Sequence, residues 1–290
     1  MLARASRDAE ENMVVEIDLE RSENVRRWWP FLRDRRIEEF APLQLQETYD
    51  NSGLNIGFPD AELTGVLICV DVTEAVVDEA IGHRANLIVS HHPLLFHPLR
   101  RIVGADASQR IAARCLIAGI SLYAAHTNLD SADGGMSFRL GQLLGLQNMR
   151  TLKPNPETVP ESGFGIVGEL PGRARPTLEF LRETKRLLNC GAIRYSVLCR
   201  ETVSRIALCT GAGASMIEDA VAAGADLYLS SDFKYNDFYT PDGRIIAADI
   251  GHFESEYCAI ALLHDIITKK IATFAVRKSE HSINPVNYLV

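Results

Sequence analysis

The feature that most constrains the fold is a series of short, uniformly apolar runs separated by amphipathic segments of helical length. Residues 65–70 (GVLICV), 86–90 (NLIVS) and 121–125 (SLYAA) are strand-like, and a helical pattern at 107–118 separates the last two. Strands that are apolar along their whole length are typical of parallel sheets with helices on both faces. The sequence therefore predicts an α/β fold with mainly parallel sheets covered by helices.

A break near residue 154 divides the chain into two predicted lobes. Pro154, Pro156 and Pro160 interrupt the periodic pattern, and strand-like and helix-like segments resume after them. A chain of 290 residues usually forms about two domains. The predicted organisation is an N-terminal extension at 1–36, a first, metal-binding α/β lobe at 37–150 plus 244–290, and a second α/β lobe at 151–243.

The predicted extension differs in composition from the rest of the chain. Its second half, 21–36, is rich in Arg and contains both tryptophans, Trp28 and Trp29. Arg and Trp together would suit stacking on nucleic-acid bases. We favour the alternative that this amphipathic segment docks on the globule or on a neighbouring subunit.

Charge and composition argue against nucleic acid and membrane as partners and indicate a cellular location. The chain has 30 Lys and Arg against 38 Asp and Glu, a net charge of −8 that opposes nucleic acid as the main partner. The longest apolar runs are of strand length, so no membrane partner is expected. The N-terminal stretch has no apolar signal segment, and the six cysteines form no C-x-x-C pair. We therefore expect a reduced, cytoplasmic location.

Histidines and acids follow three of the predicted strands. Two adjacent histidines follow the strand at 86–90, and a His-x-x-x-acid pair follows each of the strands at 121–125 and 244–250. The six side chains are His91, His92, His126, Asp130, His252 and Glu256. The carboxyl ends of parallel strands are where open α/β sheets bind ligands, and residues four apart share one face of a helix. The pattern therefore predicts that the six side chains meet in one pocket.

This ligand set suits borderline divalent ions such as zinc, iron or manganese. A catalytic zinc takes about three protein ligands, so six ligands favour two ions about 3.5–4 Å apart. Each cluster alone is common in proteins without a metal, and the coincidence of three at strand exits favours a site.

Other candidate residues have less specific patterns. Asp71 and Asp232 also end strands, and we interpret them as acceptors that fix the tautomers of ligand histidines, with general-acid and capping roles left open. The turn at 210–215 (TGAGAS) could offer N–H groups to a phosphate, although a tight strand-to-helix turn is favoured. The remaining histidines are interpreted as structural or as outer contacts of the site: His83, His97, His264 and His281.

The segments that carry these residues resemble the signature blocks of a known family. CVDVTEAVVDEAI, NLIVSHHPLLFHPL, AGISLYAAHTNLDSADGG and ADIGHFESE are similar, in order and spacing, to those of the Nif-three-like dinuclear metal-binding family, often labelled GTP cyclohydrolase 1 type 2 homologue. YDNSGLNIG (Tyr49–Gly57) and NPVNYL extend the resemblance from about residue 37 to the C-terminus. It implies that the same six side chains hold two metal ions, that Tyr49, Asp50 and Asn51 lie nearby, and that two-lobed subunits form a toroidal homohexamer.

The resemblance implies a metal-dependent hydrolase. Two divalent ions lower the pKa of water toward neutrality, so that metal-bound hydroxide would attack a nucleotide or another small heterocyclic or phosphorylated substrate. The alternative is a non-catalytic protein that binds or stores metal or serves as an interaction scaffold. Asn236 stands where members of the family commonly carry His and cannot shuttle protons at neutral pH, which favours the alternative. Six protein ligands shared by two ions leave coordination positions open for water or substrate, which favours the hydrolase. The sequence identifies no catalytic residue beyond the ligands and no other cofactor.

Overall fold

A computed structural model of the chain describes residues 37–58, 61–155, 159, 162–269 and 274–289. The predicted N-terminal extension, 1–36, lies outside these residues. The elements of the first half are β1 (Gly53–Ile56), β2 (Gly65–Cys69), α1 (Glu74–Gly82), β3 (Leu87–Ser90), α2 (Ala107–Ala118), β4 (Ser121–Ala124), α3 (Thr127–Ser131) and α4 (Met136–Leu143).

The second half adds nine strands and four helices to the described chain. They are β5 (Gln147–Pro154), β6 (Gly163–Glu169), β7 (Arg175–Pro176), α5 (Thr177–Leu187), β8 (Arg194–Tyr195), β9 (Thr202–Val203), β10 (Arg205–Ala212), α6 (Ile217–Ala222), β11 (Leu227–Ser231), β12 (Ile246–Asp249), α7 (His252–Glu256), α8 (Cys258–Thr268) and β13 (Ala275–Lys278). Among the described helices, none combines the length and the apolar character that crossing a bilayer requires.

The first sheet has five strands in the order β1-β4-β3-β2-β13. β13, β2, β3 and β4 are parallel, and β1 is antiparallel to β4 at the edge. β2, β3 and β4 are buried along their whole length, as their uniformly apolar sequences predicted. Helices α1 and α2 pack on one face, against Leu67 and Ile88, and α8 packs on the other, against Val66 and Ile68. The predicted α/β architecture is confirmed in this sheet.

The second sheet has six strands in the order β5-β6-β10-β11-β12-β8 and is mixed. β10, β11 and β12 are parallel, whereas β5, β6 and β8 each run antiparallel to a neighbour. The prediction of mainly parallel strands is therefore wrong for this sheet. The segment between β5 and β6 is too short for the crossover that parallel neighbours need, so the chain turns back on itself.

Strand β12 lies in the second sheet, whereas the sequence grouped its segment, 244–250, with the first lobe. It pairs there with β11 and β8. Only a short segment with one 3₁₀ turn, Tyr235–Tyr239, separates β11 from β12, and strands close in sequence tend to be neighbours in space. Of the strands described after residue 244, β13 alone joins the first sheet. The division of the chain into lobes stays a prediction.

The C-terminal tail, residues 279–289, crosses from the first sheet toward the second. The Ser279 N–H donates to the Ile68 carbonyl at 2.8 Å, and the buried Ser282 Oγ accepts from the Val70 N–H at 3.0 Å. Farther along, the ring of Tyr288 lies directly over Gly191, where a Cβ would overlap it. The tail is therefore anchored at both ends.

We expect Ser282→Ala to lower the free energy of unfolding by about 1–3 kcal/mol, because the buried Val70 N–H would lose its acceptor. Urea denaturation measures the change. Asn287→Ala alters an exposed side chain of the same tail and should change the free energy by less than about 0.5 kcal/mol. Equal effects for the two variants would contradict the anchoring role of Ser282.

Candidate metal centre

The six predicted side chains come together between the two sheets. His91 and His92 follow β3, where the backbone bends, and His126 lies between β4 and α3. His252 and Glu256 are the first and last residues of α7, which follows β12. The sequence predicted one sheet edge for all three strand exits. In the structure, two of the three groups follow strands of the first sheet, β3 and β4, and the third follows β12 of the second sheet.

Glu256 occupies the centre of the pocket, with a side chain that is only 4% exposed. Its Oε1 lies 3.5 Å from the Nε2 of His91, and its Oε2 lies 2.9 Å from the Nε2 of His92 and 3.0 Å from the Nε2 of His252. His91, His92 and Glu256 each present one ligand atom within 4.8 Å of the others. The carboxylate therefore faces imidazoles from both sheets.

Asp130 and His126 complete the arrangement on the side of His91. Asp130 Oδ1 lies 3.9 Å from the Nε2 of His91. The ring centre of His126 is 5.4 Å from the ring centres of His91 and His92. The six residues thus form one continuous cluster of side chains.

All four imidazoles are held through Nδ1, each by an oxygen that only accepts. The pairs are His91 with the Ala125 carbonyl at 2.8 Å, His92 with Asp71 at 2.8 Å, His126 with Asp50 at 2.7 Å and His252 with Asp232 at 2.7 Å. Each Nδ1 therefore carries a proton, and each Nε2 keeps its lone pair when the ring is neutral. The contacts predicted for Asp71 and Asp232 are present.

The carboxylates make the pocket favourable for positive charge. Burial disfavours the charged ring of His92, but the contacts with Asp71 and Glu256 prevail and raise its pKa to about 10. The pKa of His252 is raised to about 9 in the same way, against the effect of burial. The pKa of the fully buried His91 is also raised, and the imidazoles, opposing burial, hold the pKa of Glu256 well below its usual range.

Asp50 is a supporting residue that the spacing argument missed. Its side chain is fully buried, and it accepts hydrogen bonds from Ser52 Oγ at 2.7 Å and Thr127 Oγ1 at 2.5 Å besides the one from His126. Burial would raise its pKa, but these hydrogen bonds hold the pKa far below the usual range, so Asp50 remains an acceptor. The resemblance alone placed it near the site, because an acid before a short edge strand is too common to stand out.

Gly211 lies in the turn that the sequence singled out, but its contact with Glu256 was not predicted. It has φ +64°, and a Cβ at this position would overlap Oε1 of Glu256. Its N–H donates to Ser255 Oγ at 2.9 Å, in the helix that carries Glu256. The segment 210–215 ends β10 and leads through a 3₁₀ turn into α6, as the turn interpretation predicted. The glycine makes room for the central carboxylate.

Tyr49 and Phe96 lie at one rim of the cluster. Tyr49 is 64% exposed, its ring contacts Phe96 edge-on at 6.4 Å, and the ring centre of Phe96 is 6.0 Å from that of His126. Of the histidines interpreted as structural, His83 is exposed at the end of α1 and His264 lies on α8 beside Asp265.

A cleft of about 570 Å³ opens beside His92 and His252. Tail residues Asn284, Val286 and Tyr288 form part of its wall. The cleft is large enough to admit a small molecule to the imidazoles of the cluster.

Known proteins resemble this chain over most of its length. A profile of the family Duf34/NIF3 (NGG1p interacting factor 3) matches residues 34–285. A relative from Clostridium perfringens, named GTP cyclohydrolase 1 type 2 homolog, is 34% identical over 237 residues, 81% of this chain and 89% of the relative. NIF3-like protein 1 of Drosophila melanogaster is 31% identical over 206 residues, 70% of this chain and 69% of the relative. The solved structure of a hypothetical protein from Staphylococcus aureus has a TM-score of 0.81 at 25% identity, covering 88% of this chain and 97% of that one.

We expect Gly211→Ala to lower the free energy of unfolding by about 2–4 kcal/mol, because the new methyl group would meet the Glu256 carboxylate in a left-handed backbone conformation. Gly243→Ala is the matched control, since Gly243 has φ +67° with no atom within 4 Å of a new Cβ, and should cost only about 1–2 kcal/mol of backbone strain. Denaturant titration measures both changes. Equal losses in the free energy of unfolding for the two variants would show that the contact between residue 211 and Glu256 is not tight.

Proposed function

The chain belongs to the Duf34/NIF3 family, and we propose that it is a metal-dependent hydrolase that holds two divalent ions, zinc, iron or manganese, in the pocket around Glu256. The observation that supports this most directly is the orientation of the four imidazoles. Each ring is held through Nδ1, so Nε2 is the atom left to bind a cation, which would take the place of the proton that the nearby carboxylates favour.

The buried polar atoms of the pocket fit such ions. The Nε2 of His91 is fully buried and has no hydrogen-bond partner among the described residues, although two carboxylates lie within 4 Å. A lone pair that faces a carboxylate is unfavourable unless a proton or a cation lies between them. Imidazole nitrogen and carboxylate oxygen are also the donors that the proposed ions prefer.

The geometry divides the ligands into two groups that share Glu256. Oε1 of Glu256 faces His91, beside which Asp130 lies, and Oε2 faces His92 and His252. His126 adjoins both His91 and His92. Glu256 would therefore contribute to both ion sites, with the other five ligands distributed around it.

The proposed reaction is hydrolysis of a nucleotide or another small heterocyclic or phosphorylated compound. When bound, a pair of divalent ions would lower the pKa of water and polarise a carbonyl or phosphoryl oxygen. Asp50, Asp71 and Asp232 hold the imidazoles in one tautomer and one orientation. The cleft beside His92 and His252 admits the substrate. The names of the curated relatives support the nucleotide part of this proposal, and the resemblance to the family supports a toroidal homohexamer as the assembly.

Metal titration tests the ligand set. After chelation and dialysis against zinc, we expect about two ions per chain by elemental analysis. Glu256→Gln should lose both ions, because its carboxylate faces both groups of ligands, whereas Asp130→Asn should retain about one. His83→Ala, at the exposed end of α1, is the control and should bind like the unaltered chain. Unchanged stoichiometry in Glu256→Gln would refute the shared ligand.

Turnover separates the hydrolase from a protein that only binds or stores metal. Zinc-, iron- and manganese-loaded protein is assayed with GTP, phosphodiesters and cyclic amides beside stripped protein and His126→Ala. We expect hydrolysis of at least one substrate, reduced about 100-fold or more in the variant because a ligand is lost. Rates in the metal-loaded protein no higher than in the stripped protein, with ions bound to the loaded protein, would favour metal storage or an interaction scaffold.

A further inference from the structure

Four acidic side chains line the cleft beside the cluster, and three of them have a clear partner. Asp71 bonds to His92 and Asp232 bonds to His252. Asp249 pairs with Arg194 and also accepts the Gly251 N–H at 3.0 Å and the Phe233 N–H at 3.1 Å. The fourth acid is Glu254.

Glu254 is a buried carboxylate without a strong partner. The residue is only 6% exposed, and its one hydrogen bond within the described chain is a long one, 3.5 Å from the Tyr288 hydroxyl. No Lys, Arg or His nitrogen of the described residues comes within ion-pair distance of it. A carboxylate that faces the cleft without a cation beside it keeps hydrogen-bond acceptors that a ligand in the cleft can use.

The position of Glu254 directs it away from the metal cluster and toward the cleft. It lies in α7 midway between His252 and Glu256, and residues two apart project from different faces of a helix. Its carboxylate folds over Gly251, where a Cβ would overlap it, and it lines the same cleft as His92 and His252. A molecule in the cleft could therefore contact Glu254 at one end and the cluster at the other.

The surroundings of Glu254 suit a flat group. Phe253, Val286 and the ring of Tyr288 contribute apolar surface to the cleft. A carboxylate accepts two parallel N–H groups from one planar donor, as it does from a guanidinium. The Glu254 carboxylate would repel a phosphate at this end of the cleft.

We propose that Glu254 and Tyr288 form a recognition subsite for a planar nitrogenous group with adjacent N–H donors, such as an amidine, a guanidine or the amino-lactam edge of a heterocycle. This inference rests on the proposed function, because it names the part of the substrate that is held while the reacting atom lies at the cluster. Glu254 orients the substrate and takes no part in bond breaking.

Benzamidinium chloride is the probe, since it combines a flat ring with two parallel N–H donors. Calorimetric titration of the full chain, both metal-free and zinc-loaded, should show one saturable site per chain. Glu254→Gln should weaken binding about tenfold or more, because the charge-assisted hydrogen bonds are lost. Asn287→Ala, in the same tail, should leave the affinity unchanged. Benzoate has the same shape and the opposite charge, and it should not bind the metal-free protein. Absence of benzamidinium binding, or equal affinity in Glu254→Gln, would overturn the subsite.

Thermal stability distinguishes recognition from a structural role. Glu254→Gln should leave the melting temperature unchanged or raise it, since the variant removes a buried charge that lacks a cation. Asp249→Asn, which breaks the pair with Arg194, should lower it by about 4 °C or more. A comparable loss in Glu254→Gln would assign the residue to the fold and overturn the proposal.

The subsite and the proposed function can fail separately. Benzamidinium binding that depends on Glu254, in a protein that hydrolyses nothing, would support the subsite and refute the hydrolase. Hydrolysis without such binding would support the hydrolase and overturn the subsite.

Discussion

The pocket depends on a single electrostatic constraint, which is the burial of the Glu256 carboxylate among imidazole nitrogens. A carboxylate that is almost fully removed from water must be compensated by positive charge or by hydrogen-bond donors. Nδ1 of each imidazole is committed to an oxygen of Ala125, Asp50, Asp71 or Asp232, so the compensation comes through Nε2. It is either a proton, which the raised pKa values of His92 and His252 favour, or a bound cation. Those four oxygens therefore decide what the pocket can hold, although none of them lies at its centre.

Local sequence patterns predicted the strand exits and the residues that follow them. The runs that became β2, β3 and β4 are apolar along their whole length, and this pattern reports burial on both faces of a sheet directly. The pairs at 126–130 and 252–256 lie within one turn of helix, so their approach is also local. For these reasons the six side chains of the cluster could be named from the sequence.

Partners chosen across long stretches of chain could not be predicted in the same way. Asp50 reaches His126 across 76 residues, and Gly211 meets Ser255 across 44. Periodicity shows that a residue is buried but does not show what it faces. The antiparallel strands of the second sheet were missed for a related reason, since an apolar run has the same composition in either direction. Glu254 escaped notice because it lies between two stronger candidates in one short helix.

The Nε2 atoms of His92 and His252 are 3.4 Å apart, yet the two residues are 160 positions apart in the chain and follow strands of different sheets. A cation bound by both would act as a non-covalent cross-link across this seam. Closing so long a loop restricts the unfolded ensemble much as a disulfide does, and binding to the native state alone shifts the folding equilibrium. Metal binding and the association of the two sheets would then be thermodynamically coupled. A shortage of metal would empty the site and would also lower the free energy of unfolding.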